Sequence, residues 1–113
     1  MPFVYKICSQ TIWNDAVAKG EFAGATIDLT DGFIHLSTAS QAPVTAALYF
    51  KTDDDLVLVE FDDLKLKGLK YEPSRGGELF PHVFGTIDPR QALNVVSLPR
   101  QHDGSLKFPD GFQ

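Results

Sequence analysis

The run Leu56-Val57-Leu58-Val59-Glu60-Phe61 constrains this chain more than any other stretch. Side chains on a strand alternate faces with period two, so a run that is apolar at nearly every position must be covered on both sides. That places it at the centre of a sheet. Lys51 to Asp55 form a charged turn before it, and Asp62 and Asp63 end it. A chain of 113 residues fits one compact domain, 1–113, built around such a strand.

The remaining elements arrange themselves about this centre. Residues 3–8 read as a first strand, and Ser9 as the N-cap of a helix running to Lys19. Ile12, Trp13, Ala16 and Val17 share one face of that helix, and Gly20 stops it. Residues 21–31 lack periodicity and read as a loop leading to a strand at 33–36. Thr38-Ala39-Ser40-Gln41 matches a capping box, with Ser40 as rival cap because Pro43 sits best in a first turn. The helix that follows extends to about Phe50 and should bury Ala42, Ala46, Ala47 and Phe50. Leu64 to Tyr71 suggests an edge strand, Pro73 to Gly77 a flexible loop, Asp88-Pro89 a turn or short helix, and Leu93 to Leu98 a last strand. The tail 99–113, with His102 among polar and glycine neighbours, is expected to be exposed. This order predicts an α+β domain with a largely antiparallel sheet and two helices in its N-terminal half.

Composition narrows the function classes. With 43% hydrophobic and 22% charged residues the chain is an ordinary globular one. A formal charge of −5 without a basic patch argues against non-specific nucleic-acid binding. No apolar run approaches a membrane span, and the start lacks a secretory signal pattern. Cys8, the single cysteine, cannot form an intrachain disulfide, which suits the cytoplasm; its strand context predicts an inert, buried thiol.

Two stretches carry the chemistry: Asp31-Gly32-Phe33-Ile34-His35-Leu36-Ser37-Thr38 and Gly77-Glu78-Leu79-Phe80-Pro81-His82-Val83-Phe84-Gly85. Strand parity puts Phe33, His35 and Ser37 on one face, and Glu78, Phe80, His82 and Phe84 on another. The two histidines can line one cleft, or each can satisfy a backbone carbonyl within a mixed core. His35, Glu78 and His82 are legitimate zinc ligands, but no short-range chelating pair exists, so a metal-free site is the expectation. A Gly-x-Ser-x-Gly elbow, a Walker loop and a dinucleotide fingerprint are all absent. What remains is a small-molecule cleft in which Phe33, Phe80 and Phe84 stack on a flat ring while His35 and Ser37 hydrogen-bond to hydroxyls or an amide. Glu60, Glu72 and Glu78 are the acids nearest to it, and the N-terminal end of the second helix is expected to face it. Such a cleft suits a nucleotide-like or ribosyl ligand.

At these residues the chain resembles the bacterial family known as domain of unknown function 952. The likeness runs through Tyr5-Lys6-Ile7, Trp13, Gly20, the two histidine motifs, Gln41, Phe50, Leu56-Val57-Leu58 and Glu72, within a family-like region of about 3–98. That family resembles a small, divergent ADP-ribosyltransferase fold, with a split sheet, and is distantly similar to RNA 2′-phosphotransferases. The resemblance implies that His35 sits where the nicotinamide end of NAD is held, with Ser37 beside it. It puts Lys6 where such enzymes present a histidine or arginine to ribose, makes Glu78 a counterpart of their catalytic glutamate, and leaves Arg75 to grip phosphate. His35, Glu78 and His82 are thus the catalytic candidates, and Lys6, Phe33, Ser37, Thr38, Glu72, Arg75 and Phe80 the ligand-binding ones, with NAD as the implied cofactor and glycosyl transfer as the implied reaction. A noncatalytic metabolite-binding domain and a zinc-dependent hydrolase are the alternatives.

Overall fold

The computed structural model describes residues 3–112; Met1, Pro2 and Gln113, the ends of the expected domain and tail, lie outside the described residues. Strand β1 (Phe3–Ser9) leads into helix α1 (Gln10–Lys19) and a short helix α2 (Thr26–Asp31). Two brief strands follow, β2 (Ile34–His35) and β3 (Ser37–Thr38), then helix α3 (Ala42–Tyr49). Four further strands, separated by turns, complete the order: β4 (Leu56–Asp62), β5 (Leu69–Pro73), β6 (Leu79–Val83) and β7 (Asn94–Ser97). They form two antiparallel sheets, ordered β3-β1-β4-β7 and β2-β6-β5.

The apolar run is the inner strand its composition demanded. β4 pairs with β1 along its whole length, Phe3 opposite Asp62 through Ser9 opposite Leu56, and with β7 on its other edge. Val57, Val59 and Phe61 face a core completed by Trp13 and Ala16 of α1, Phe22, Ile34, Leu36, Val83 and Ile87. Leu56 and Leu58 face the opposite way, toward Ala42 and Ala46 of α3. Phe61 and Val59 are wholly buried. Truncating such a side chain as Phe61 costs about 3–5 kcal/mol.

Helix α1 keeps its expected limits. Ser9 Oγ accepts the Ile12 N–H at 3.1 Å, and Gly20 closes the helix at φ 80°, a left-handed conformation that a side chain would strain. Val17 departs from the expected buried face and is exposed. Further expectations need correction. Residues 26–31 form α2 rather than loop, because Asp28 has buried partners described below. In α3 neither Thr38 nor Ser40 caps by its side chain; Gln41 Oε1 reaches back to the Thr38 N–H at 3.0 Å, and Ala47 is exposed. The edge strand expected at 64–71 begins only at Leu69, after a 3-10 turn over Asp63–Lys65. The tail is also less exposed than its composition suggested. His102 is exposed, but Leu106, Phe108 and Phe112 pack on the α3-side core, with Phe112 4.9 Å from Tyr5 ring to ring.

Candidate functional site

The chain crosses from one sheet to the other between His35 and Ser37. Ile34 and His35 pair with Val83 and His82 in the three-stranded sheet, while Ser37 and Thr38 pair with Tyr5 and Val4 in the four-stranded one. Ile34 and Val83 therefore turn into the core, and their neighbours His35 and His82 lie side by side on the outer face. The two imidazoles are 5.4 Å apart, edge to face. Phe33 packs on both, 4.3 Å from His82 and 4.6 Å from His35, and 5.3 Å from Phe84. The sequence-predicted pair of histidines thus shares one aromatic strip. His82 is buried, and its Nδ1 lies 3.0 Å from Glu72 Oε1, whereas the His35 ring stays 31% exposed.

Beneath this strip is an ionic group of which the sequence nominated only Lys6 and His35. Lys6 sits between Val4 and Cys8 on the apolar face of β1 and is buried there. Its Nζ donates to the His35 carbonyl at 3.1 Å and meets Asp28 Oδ2 at 2.7 Å, the two side chains being 5% and 0% exposed. Asp28 uses its other oxygen on His35, 2.6 Å from Nδ1 and 3.1 Å from the backbone N–H. The Ala25 N–H donates to Oδ2 at 2.8 Å, which starts α2. Burial alone would push this carboxyl up, but the Lys6 ammonium, with hydrogen bonds from Lys6 and His35, holds it below the ordinary 3.8. A lysine with strand parity on an apolar face demands a buried acid; nothing in the sequence says which acid answers. A Cβ at Gly24, where φ is +110°, would fall 2.6 Å from Asp28 Cβ, so glycine is required for Asp28 to seat.

The other nominated residues divide. Ser37 is buried with its Oγ 3.4 Å from Thr45 Oγ1, and Thr38 Oγ1 lies 3.3 Å from Ser40 Oγ. Arg75 donates from Nη1 to Thr45 Oγ1 at 3.2 Å, and its guanidinium carbon stands 4.8 Å from the Phe80 ring and 5.8 Å from the Tyr49 ring. Ser37, Thr45, Arg75 and Phe80 hence form a second group, joined to the first through strand β6. Glu78 does not join either histidine; it is exposed, at the turn into β6, and the carboxylate bonded to His82 is Glu72 instead. Glu60 lies on the opposite face of the first sheet, accepting from the Tyr5 hydroxyl at 2.9 Å and the Asn94 amide at 3.0 Å. The start of α3 docks on that same far face, with Gln41 Nε2 donating to the Leu79 carbonyl at 2.8 Å. Among the described residues no group of three or more His, Cys, Asp or Glu side chains is arranged to hold a metal, so the zinc set His35, Glu78 and His82 is not assembled. Burial pushes the Cys8 thiol up to about 11, against the lowering effect of Lys6, in keeping with an inert thiol.

Two hollows lie away from the strip: one of about 300 Å³ between α3 and the tail, and one of about 500 Å³ beside Asp53, Asp54 and Asp55. No helix among the described residues is long and apolar enough to cross a membrane.

Two antiparallel sheets, bridged by a segment that carries an acid-held imidazole, define an α+β protein with a polar–aromatic outer face. The chain belongs to the family described as a protein of unknown function, DUF952, whose model matches residues 7–95. Protein CC0527 from Caulobacter crescentus, known from an X-ray crystal structure, is 40% identical with 93% of each chain covered and a TM-score of 0.89. A double mutant of CC0527, also known from X-ray crystallography, gives 39% identity over the same shares and a TM-score of 0.89. The solution NMR structure of CC0527 gives 40% identity, 91% of this chain and 90% of that one, and a TM-score of 0.82. No curated protein matches the chain.

Proposed function

We propose that the strip around His35 binds a small nucleotide-like or ribosyl ligand, with NAD the leading member of that class, in an ADP-ribosyltransferase-like domain. One observation carries this reading. The His35 imidazole is fixed by the fully buried Asp28 at 2.6 Å while almost a third of the ring stays accessible beside Phe33. A histidine that only filled core space would not require a buried Lys–Asp pair behind it. A carboxylate on one ring nitrogen sets the orientation and proton position of the other, which is how imidazoles are prepared to meet a ligand. The split of the sheets at the histidine-bearing segment supports the family-level analogy, which is an analogy of fold.

Noncatalytic binding is favoured over turnover because the expected catalytic trio is not gathered: Glu78 stands apart from both imidazoles. Glycosyl transfer is the second reading, and the Glu72–His82 contact at 3.0 Å is the observation for it. In that case Glu72, not Glu78, would stabilise positive charge developing on a ribosyl carbon. Calorimetric titration with NAD, ADP-ribose and nicotinamide, each with and without a chelator, tests the proposal. Saturable binding independent of the chelator is expected, and a ligand at about 100 times its Kd should add roughly 2.7 kcal/mol of stability. His35→Ala should abolish that binding while the protein stays folded. Silence from every ribosyl compound at millimolar concentration would retire the reading; product release from NAD would favour the second one.

A further inference from the structure

Helix α2 is attached to the body in an unusual way. Of its residues only Asp28 is buried, while Ile27 and Leu29 are 58% and 64% exposed. Apolar packing therefore does not hold it; carboxylates do. Asp28 makes the buried attachment, and at the other end of the helix Asp31 Oδ2 lies 3.0 Å from His35 Nε2, with the Asp31 side chain 40% exposed. Gly24 and Gly32 flank the segment at φ +110° and +85°, so each end turns on a residue free of a Cβ.

Both nitrogens of His35 thus face carboxylate oxygens, Nδ1 toward Asp28 and Nε2 toward Asp31. Asp28 Oδ1 hydrogen-bonds Nδ1 at 2.6 Å, while Asp31 stands in ion-pair contact at Nε2 and covers it from outside. We propose that α2 is a latch over His35, in which Asp31 occupies Nε2 and so closes the imidazole to outside partners. Withdrawal of Asp31 uncovers Nε2 while buried Asp28 keeps Nδ1 bonded. Asp31 thereby decides whether Nε2 is open to an outside partner. The asymmetry of the two attachments fixes which one opens: Asp28 is wholly buried and paired with Lys6, whereas Asp31 is solvated and holds a single contact.

The test needs no ligand, so its failure and that of the ligand reading are separate results. Diethyl pyrocarbonate acylates a neutral imidazole nitrogen through its lone pair, with ethyl carbonate leaving. On the full chain, mass spectrometry measures the rate at His35 against exposed His102 as internal reference. Asp31→Ala should raise the His35 rate by about 1.4- to fivefold, the range set by losing one partly solvated ion pair. Amide exchange across residues 25–32 should quicken with it while β1 and β4 keep their protection. A His35 rate unchanged from the parent chain overturns the latch. Should the alanine variant lose protection in β1 and β4 as well, Asp31→Asn is judged by the same two criteria, since it keeps the shape and removes the charge.

Discussion

The two sheets of this molecule solve different problems. The four-stranded sheet is apolar on both faces around β4 and is covered on both, by α1 and the second sheet on one side and by α3 and the tail on the other. The three-stranded sheet commits one face to the core through Ile34 and Val83, and leaves the other to His35, His82, Phe33, Phe84 and Glu72. The first is a support and the second a presenting surface. Where they meet, the division fails at one point: Lys6 stands on the apolar face of the support and carries its charge to Asp28, behind the presenting face. Through Asp28 of α2, the ionic pair ties the first sheet to His35 of the second, and so serves stability as well as the site.

Removing one partner of that pair should give the largest effect. Lys6→Met leaves Asp28 buried without its counter-charge and should destabilise by about 3–5 kcal/mol in chemical denaturation. Lys6→Met with Asp28→Leu should recover most of that loss, because neither charge then remains to be solvated. A Lys6→Met loss below about 1 kcal/mol would move the pair out of the core and into the solvated class.

Acid should then separate the two regions. The Asp28 carboxyl is held below 3.8 in the folded protein. Above that ordinary value both folded and unfolded chains are ionised and its contribution is present in full. As the pH falls, the unfolded chain takes up the proton first, so this stability is lost progressively until the folded value has been passed. Denaturation followed from about pH 6 down to about pH 2 should show the loss. Asp28→Asn, if it folds, should flatten that part of the profile. An unaltered slope would show that another carboxyl governs it.

The smallest effect is expected on the presenting face itself. Glu72→Gln touches a side chain 40% exposed and should cost no more than about 1 kcal/mol. A loss of about 2 kcal/mol or more would make the Glu72–His82 contact a structural one and blur the contrast between the sheets.

The supporting sheet was legible in the sequence because its message is redundant. The nearly continuous apolar runs of β1 and β4 and the Ser9 cap each point to the same arrangement. The meeting of His35 and His82 was legible too, since parity fixes which face each takes and the two runs are of strand type. What escaped was Asp28. Its helix is short and exposes its apolar residues, so no periodicity announces it, and its partner Lys6 lies far earlier in the chain, in a different element. Glu78 was chosen by strand parity with His82 and by the family resemblance, but β6 begins only at Leu79, and the sheet delivers Glu72 from the neighbouring strand. Parity within one run is a poor guide to an acid once a strand pairing can bring a closer one. The tail misled by composition: its polar stretch hides Leu106, Phe108 and Phe112, spaced so that each reaches the α3-side core.

The segment from Ile34 to Thr38 belongs to both sheets, with Leu36 as the only residue between its two pairings. Most surface loops absorb the gain or loss of a residue; this stretch cannot. One residue more or fewer would reverse inside and outside for everything on one side of the change, turning either His35 into the core or Ser37 and Thr38 out of register with β1. Its length is therefore a fixed quantity of the design, and descendants of this chain are free to vary in what the bridge carries but not in how many steps it takes.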